Sequence, residues 1–304
     1  MRATSSELPR SGLPEPLACD RIDAVLLAAL EEDRGSGDVT SRVTVPGTAR
    51  ARARLVARAD GVLAGLAVFA RAFELADPGA RVRLLRADGE TVAAGDELAT
   101  VIGSARGLLL AERTALNFLQ RLSGIATATA RCVTAAAVPG ARARILDTRK
   151  TTPGLRAFEK YAVRCGGGEN HRMGLYDEAL VKENHLALAG RPIEAVVADL
   201  RADSPGLRIT VEARDAEEAR AAVRGGADVV LLDNMTPDEL RAIGGELREL
   251  AAALGREVEL EASGGVTEAN VGEIAATGVD RISIGALTHS PRALDLALYL
   301  EPLR

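Results

Sequence analysis

The stretch RITVEARDAEEARAAVRGGADVVLLDN, residues 208–234, carries the pattern that decides the fold. It reads as a short β-rich run, RITVEA (208–213), then a helical run over 215–224, then a second β-rich run, DVVLLDN (228–234). The same alternation extends outward in both directions. ARILDT (143–148) and ALVKEN (179–184) precede it, while EVELEAS (257–263) and RISIGA (281–286) follow. Helices are expected at about 191–203, 237–254 and 267–277. Alternation of this kind implies a parallel sheet with helices outside it. The strands continue past four with no GxGxxG fingerprint, which favours closure toward a barrel over an open sheet. Only six strands can be read, so the expected fold is an α/β class protein with an incomplete β/α barrel.

Upstream of residue 140 the pattern differs. Residues 20–31 form a helix with Ile22, Val25, Leu26, Leu27 and Leu30 on one apolar stripe. RARLVARAD (52–60), ARVRLLRADGE (80–90) and ELATVIG (97–103) are strand-like and separated by Gly-rich turns, the rhythm of a small β-rich sandwich. That rhythm also fits a biotinyl or lipoyl carrier, but no acceptor lysine precedes Lys150. A long helical segment, LLLAERTALNFLQRLSGIATATARCVTAAA (108–137), follows, with a break expected near Ser123-Gly124. The domain plan is a flexible Pro-rich tail over 1–17, an N-terminal α+β sandwich domain over 18–112 and an α/β-barrel catalytic domain over 113–290. A C-terminal helix over 291–304 is expected to pack back on the first domain.

Composition narrows the function. Of 304 residues 47% are hydrophobic but only 2% aromatic, with no Trp, so the core must be aliphatic. A net charge of −5 and the scarcity of rings for base stacking argue against nucleic-acid and membrane roles. Cys19, Cys132 and Cys165 are odd in number and lack metal spacing, which fits a reducing compartment. The longest apolar runs, such as AVLLAAL (24–30), are too short to span a bilayer. The opening MRATSSELPRSGLPEPL has no apolar signal core, so a cytoplasmic protein is expected.

Chemistry should sit where the barrel strands end, because their C-termini converge on one face. The residues there are Arg149 and Lys150, Lys182 and Asn184, Glu212, Asp233, Ser263 with Gly264 and Gly265, and Gly285. One such polar residue merely caps the next helix; six successive strand ends make a pocket. SGGVT (263–267) and GALTHS (285–290) suit a phosphate, through glycines that admit close backbone approach, a helix N-terminus, and His289 as a further donor. On the other side Arg149, Lys150, His171, Arg172 and Lys182 crowd together, enough cations for several anionic groups on one ligand. The chain has 35 arginines and only three lysines, Lys150, Lys160 and Lys182. A lysine kept against that bias marks a place for a compact ammonium, where a planar fork will not serve. Glu212 and Asp233 face these cations, positioned for sugar hydroxyls, a divalent ion or developing positive charge, or paired internally with the same lysines. The pocket therefore suits a phosphorylated sugar plus a small polycarboxylate. RCGGGENHRMGLYD (164–177) lacks the Lys-Ser/Thr of a P-loop and reads as a connection delivering His171 and Arg172.

Those residues carry a resemblance. ERTALNFLQRLSGIATAT, DTRKTTPGLRAFEKYAVRCGGGENHRMGL, ALVKENH, VEA, LLDNM, EASGGV and ATGVDRISIGALTHS, with GDVTS at 37–41, together resemble the quinolinate phosphoribosyltransferase family in order and spacing from about residue 20 onward. Glu169 departs from the family pattern, where an apolar or small residue is expected. The resemblance implies phosphoribosyl transfer from phosphoribosyl pyrophosphate to quinolinate with decarboxylation, giving nicotinate mononucleotide, pyrophosphate and CO2 in NAD biosynthesis, with Mg2+. It implies a homodimer whose active sites lie near the interface. Carried over by motif, Arg149, His171, Arg172 and Lys182 bind the quinolinate carboxylates, and Arg113 comes from the neighbouring subunit. Lys150 holds pyrophosphate, and Glu212 and Asp233 hold the ribose and its metal. Ser263, Gly264, Gly265, Gly285, Ala286 and His289 receive the phosphates. Glu212, Asp233, Lys150 and Lys182 are the expected catalytic residues. Two rivals are a superfamily relative with another acceptor, such as the molybdenum-transport-associated homologues, and a non-catalytic sensor of phosphorylated metabolites. The intact DTRKT and NHR motifs count against the first, and acids beside a pyrophosphate site count against the second.

Overall fold

The computed structural model describes residue 17 and residues 19–303, so the expected tail over 1–17 lies, apart from Leu17, outside the described residues. The chain divides into two compact units. One runs to Ala126 and regains the chain from Ala293 onward; the other is Thr127–Arg292. The division falls after Ala126, inside a helix, whereas the expected domain boundary lay between 112 and 113.

The first unit contains α1 (Cys19–Arg34), α2 (Val39–Thr44), β1 (Arg50–Ala57), β2 (Gly61–Val62), α3 (Leu66–Ala76), β3 (Arg81–Leu84), β4 (Thr91–Val92) and β5 (Glu97–Ser104). It also holds the first part of α4 (Ala105–Ala136). In β1, RARARLVA alternates strictly. Ala51, Ala53, Leu55 and Ala57 are buried, while the arginines face the other side, as a sheet covered on one face requires. The sheet order is C-terminal strand–β1–β5–β3, antiparallel throughout, and β2 and β4 form a separate ribbon. Leu26, Leu55, Leu63, Leu66, Leu98, Leu108, Leu119 and Leu122 are fully buried in the core of this unit. Phe69 and Phe73 join them edge to face at 5.0 Å between centroids.

Two expectations for this unit are corrected. The segment expected as a C-terminal helix over 291–304 is a strand, Leu296–Leu303, paired with β1 from Ala57↔Leu296 to Arg50↔Leu303. Its apolar residues recur at every second position, and Leu294, Leu296 and Leu298 are buried, a period of two that no helix can place on one face. The break expected at Ser123-Gly124 does not occur, and α4 is continuous. Ser123 is fully buried. Its hydroxyl accepts from Ala64 N (3.1 Å) and donates to Ala64 O (3.3 Å), so the residue packs as a cross-link between α4 and the segment after β2.

The second unit is built on β6 (Arg144–Leu146), α5 (Arg156–Cys165), β7 (Ala179–Val181), α6 (Glu183–Ala189), α7 (Ile193–Asp203), β8 (Ile209–Ala213), α8 (Ala216–Gly225) and β9 (Val229–Asp233). Then follow α9 (Pro237–Ala253), β10 (Glu259–Ser263), α10 (Val271–Ala275), β11 (Arg281–Ser283) and α11 (Ala286–His289). All six strands are parallel, in the order β6-β11-β10-β9-β8-β7. VVLLD of β9 is apolar almost throughout because both faces of the strand are covered. Strands β6 and β7 stand at the two edges, so the barrel is incomplete. The outer edge of β6 is taken by Glu169, which bridges to Leu146. Glu169 N donates to Ile145 O (2.8 Å) and Asp147 N donates to Glu169 O (3.2 Å). Glu169 itself is exposed and pairs with Arg144 at 3.2 Å.

A repeated brace holds the strands in register. Asp228, just before β9, accepts from Ile209 N of β8 (2.7 Å) and from Arg201 of α7 (2.8 Å). Asp280, just before β11, accepts from Leu260 N of β10 (2.9 Å) and from Arg248 of α9 (2.8 Å). The arginines also donate to Gly226 O and Gly278 O. No helix among the described residues is long and apolar enough to cross a membrane.

Candidate active site

The parallel register sets the floor of the site. Leu146, Ser283, Ser263 and Asp233 lie side by side at the ends of β6, β11, β10 and β9. Lys182 and Glu212 directly follow the paired Val181 and Val211, and their side chains form an ion pair. The burial of Asp233 and the neighbouring Glu212 carboxylate push its carboxyl above the usual value, against the pull of Lys182 and Lys150. A half-buried acid between two lysines and a second acid is poised to answer any new positive charge. Asn234 adopts a left-handed backbone (φ 56°), donates from its backbone nitrogen to Ser263 O (2.8 Å) and from its amide to Asp233 (2.8 Å).

Glycine is required where these loops close. A Cβ at Gly264 (φ +93°) would strike the Asn234 side chain and come within 3.0 Å of its backbone nitrogen. At Gly285 a Cβ would lie 3.0 Å from the Lys150 stem and 3.4 Å from the His289 ring, so bare backbone lets those two cation-capable side chains approach the same spot. Lys150 is exposed; its carbonyl accepts from Thr288 Oγ1 (2.9 Å), tying the loop after β6 to α11. His289 Nδ1 meets Ser290 Oγ at 2.6 Å, and Ala286 is exposed at the start of α11. The helix contribution expected here is small. Helix α11 has four residues, and α10 begins only at Val271, so the macrodipole adds little at Gly264 and Gly265. Backbone N–H groups and the side chains of Lys150 and His289 remain as the donors.

The cationic side contains Arg149 and Arg172. Burial and the nearby Arg149 guanidinium hold Arg172 below its ordinary value, a mutual repulsion that a bound anion relieves. Arg172 donates to Glu178 O (3.1 Å), and Arg149 Nε is buried without a partner. Neither guanidinium forms an ion pair among the described residues. His171 differs from expectation. Its Nδ1 accepts from Arg172 N (2.8 Å), and its Nε2 faces the fully buried Glu261 carboxylate at 3.4 Å. Both ring nitrogens are turned to the protein. The Glu261 carboxylate also lies 3.0 Å from Arg281, although neither approach has hydrogen-bond angles. Burial pushes Glu261 up, but His171, Arg281 and Ser283 outweigh it and bring the carboxyl below its usual value.

Arg113 lies exposed on α4 in the first unit and has no ion-pair partner among the described residues. Sequence reading missed the support beneath the site: Asp147, Lys160, Asn170, Glu178, Glu261 and Arg281. One signal pointed there, since Lys160 is one of three lysines in an arginine-rich chain. Cys132 and Cys165 are buried free thiols, with Cys132 pushed up to about 11 by its burial. No group of three or more His, Cys, Asp or Glu among the described residues could hold a metal ion. Glu212 and Asp233 supply at most two carboxylates, the first already engaged by Lys182. That donor set fits Mg2+ arriving with substrate phosphates, which needs only one or two protein carboxylates, and does not fit a resident all-protein cage.

Comparison with known proteins agrees across both units. Residues 125–299 match the family model described as quinolinate phosphoribosyl transferase, C-terminal domain, and residues 38–123 match its N-terminal domain. The probable nicotinate-nucleotide pyrophosphorylase [carboxylating] of Bacillus subtilis (strain 168) is 41% identical over 267 residues, spanning 88% of this chain and 89% of the relative. The nicotinate-nucleotide pyrophosphorylase [carboxylating] of Mycobacterium leprae (strain TN) is 44% identical over 275 residues, spanning 90% of this chain and 94% of its own. The crystal structure of NadC from Streptococcus pyogenes superposes with a TM-score of 0.88 at 38% identity, covering 96% of this chain and 100% of that one.

Proposed function

The chain belongs to the quinolinate phosphoribosyltransferase family, and we propose that its strand-end site moves a phosphoribosyl group from phosphoribosyl pyrophosphate to quinolinate. The products are nicotinate mononucleotide, pyrophosphate and CO2, a step of NAD biosynthesis. One observation carries the assignment of sides. Arg149 and Arg172, two guanidiniums that form no ion pair among the described residues, stand near each other, while Lys150 and His289 approach the same spot at Gly285 and Lys182 pairs with Glu212. Quinolinate, with carboxylates on adjacent ring carbons, takes the side of the two arginines, and the phosphates take the side of Lys150 and His289.

The bond between the anomeric carbon and pyrophosphate breaks while the pyridine nitrogen forms its bond to that carbon. Positive charge builds on the ribose ring, and the carboxylates of Glu212 and Asp233 stabilise it. No protein nucleophile is needed. Lys150 meets the leaving pyrophosphate as a point charge, and Lys182 holds the Glu212 carboxylate in place through their ion pair. Mg2+ arriving with the substrate would supply positive charge to its phosphates, and Glu212 and Asp233 are the carboxylates that would help hold it. Once quaternised, the pyridine ring draws in the electron pair left as the adjacent carboxylate departs as CO2. The ring carbon then takes up a proton.

Arg113 and the dimer belong to the same proposal. Arg113 is exposed on α4 in the first unit and is not itself a strand-end residue, so it is available to enter the site of a second copy, which a two-fold dimer makes reciprocal. The deciding experiment is incubation with phosphoribosyl pyrophosphate, Mg2+ and either quinolinate or nicotinate, following CO2 and nicotinate mononucleotide. Quinolinate is expected to react and nicotinate to fail, because a monocarboxylate leaves a buried cation unpaired at a cost of roughly several kcal/mol. Comparable turnover of nicotinate, without CO2, would overturn the assignment.

A further inference from the structure

Lys160 is the lysine that the proposed reaction does not use. It is 1% exposed on α5, and its ammonium pairs with Asp147, which is 0% exposed and lies one residue beyond β6. The same ammonium donates to His171 O at 2.8 Å. Asp147 in turn accepts from His171 N (3.0 Å) and from the Asn170 amide (2.5 Å), which also donates to Lys160 O (2.9 Å). Both backbone polar groups of His171 are therefore held by one ion pair. Asp147 stands two residues before Arg149, and His171, which both ends of the pair hold, directly precedes Arg172. A single buried pair thus spans the two backbone segments that carry the paired guanidiniums.

Stability alone does not explain this arrangement. Burial pushes the Asp147 carboxyl up and the Lys160 ammonium down, each away from its charged form. Buried ion pairs can commonly be exchanged for apolar residues of similar volume with no loss of stability. An apolar pair cannot hold the N–H and C=O of His171. Lysine serves where arginine does not, because a tetrahedral ammonium can divide its protons between two acceptors in different directions within a small volume.

We infer that Asp147 and Lys160 are a positioning pair that fixes the spacing of Arg149 and Arg172 for a substrate bearing two adjacent carboxylates, an inference that rests on the quinolinate reading above. Neither residue touches substrate. Their removal alters how the dicarboxylate is held and leaves the phosphate side, at Lys150, Gly285 and His289, as it was.

The test uses the full-length enzyme carrying Asp147→Asn together with Lys160→Met, which removes both charges and leaves no lone buried ion. The variant is expected to fold, by circular dichroism and thermal melting. Its kcat/KM for quinolinate should fall roughly 100-fold, the scale of a misplaced substrate contact, while KM for phosphoribosyl pyrophosphate stays within about threefold. A folded variant that keeps its quinolinate kcat/KM within about threefold, or loses both substrates equally, overturns the inference. Should the double variant not fold, Asn170→Ala decides. It removes the amide that ties Asp147 to the Lys160 carbonyl and so loosens the pair's grip on His171, and the same one-sided loss is expected at roughly tenfold; no split between substrates sinks the idea. An unmodified enzyme that cannot convert quinolinate at all refutes the activity, and this inference with it. An active enzyme with an unsplit variant refutes the inference alone.

Discussion

Two kinds of cation do different work in this site. Arginine is the chain's default, so its presence at 149 and 172 carries little information by itself. What matters is that both guanidiniums are drawn into one partly buried place, and neither forms an ion pair among the described residues, although Glu178 and Asp177 act on Arg172 from further off. The lysines are the informative exceptions: Lys150 beside His289, Lys182 on Glu212 and Lys160 on Asp147. Arg149→Lys is therefore expected to be nearly as harmful as Arg149→Ala, lowering kcat/KM for quinolinate roughly 10- to 100-fold, because an ammonium cannot grip a planar carboxylate at two points. Steady-state kinetics with each substrate varied in turn reads this out, and near-normal quinolinate handling by Arg149→Lys would remove Arg149 from its assigned role. The crowding of cations was legible in the motifs. The direction of the His171 ring was not, because it depends on Glu261, ninety residues later in the chain and buried.

Among elements, the strands were the most legible part. The barrel strands are short runs rich in apolar residues with a polar residue at or near the end, and burial on both faces leaves little room for other patterns. The braces that hold those strands in register were not read from the sequence, although they repeat as Gly226-Ala227-Asp228 and Gly278-Val279-Asp280. Such a pattern becomes meaningful only once Ile209 N and Leu260 N are seen to end on those carboxylates. Asp280→Ala leaves Leu260 N without its partner and strips Arg142 and Arg248 of theirs, so a loss of about 1–3 kcal/mol is expected from denaturant midpoints. Asp280→Asn keeps an acceptor for the N–H and should lose less. Equal midpoints for all three proteins would show that the brace contributes nothing. The C-terminal strand was misread as a helix although its period of two was present, and the unbroken course of α4 through Ser123 depended on a distant partner, Ala64.

At the scale of the whole molecule, the chain leaves the first unit within α4, forms the parallel sheet, and returns at Ala293 to add a strand beside β1. The site residues from Arg149 to His289 all belong to the second unit, whereas Arg113 belongs to the first. Subunit mixing tests the proposed exchange of Arg113 between copies. Arg113→Ala and Lys182→Ala should each be nearly inactive alone. In a mixed dimer one site regains both residues and the other lacks both. Random reassortment makes about half the dimers mixed, so roughly a quarter of normal activity should return. Two inactive parents whose mixture stays inactive would place Arg113 in its own subunit's site.

The order of strands and helices, the polar strand ends and the family motifs were determined by the sequence alone, because hydrophobic period and strand-end position are local properties that each segment carries with it. The tertiary structure decided which of those residues meet. It set Lys182 on Glu212, raised Asp233 through Glu212, turned His171 inward and joined Asp147 to Lys160. These are contacts between side chains carried by separate segments of the chain. They exist only once packing brings those segments together, a condition that no single stretch of sequence contains.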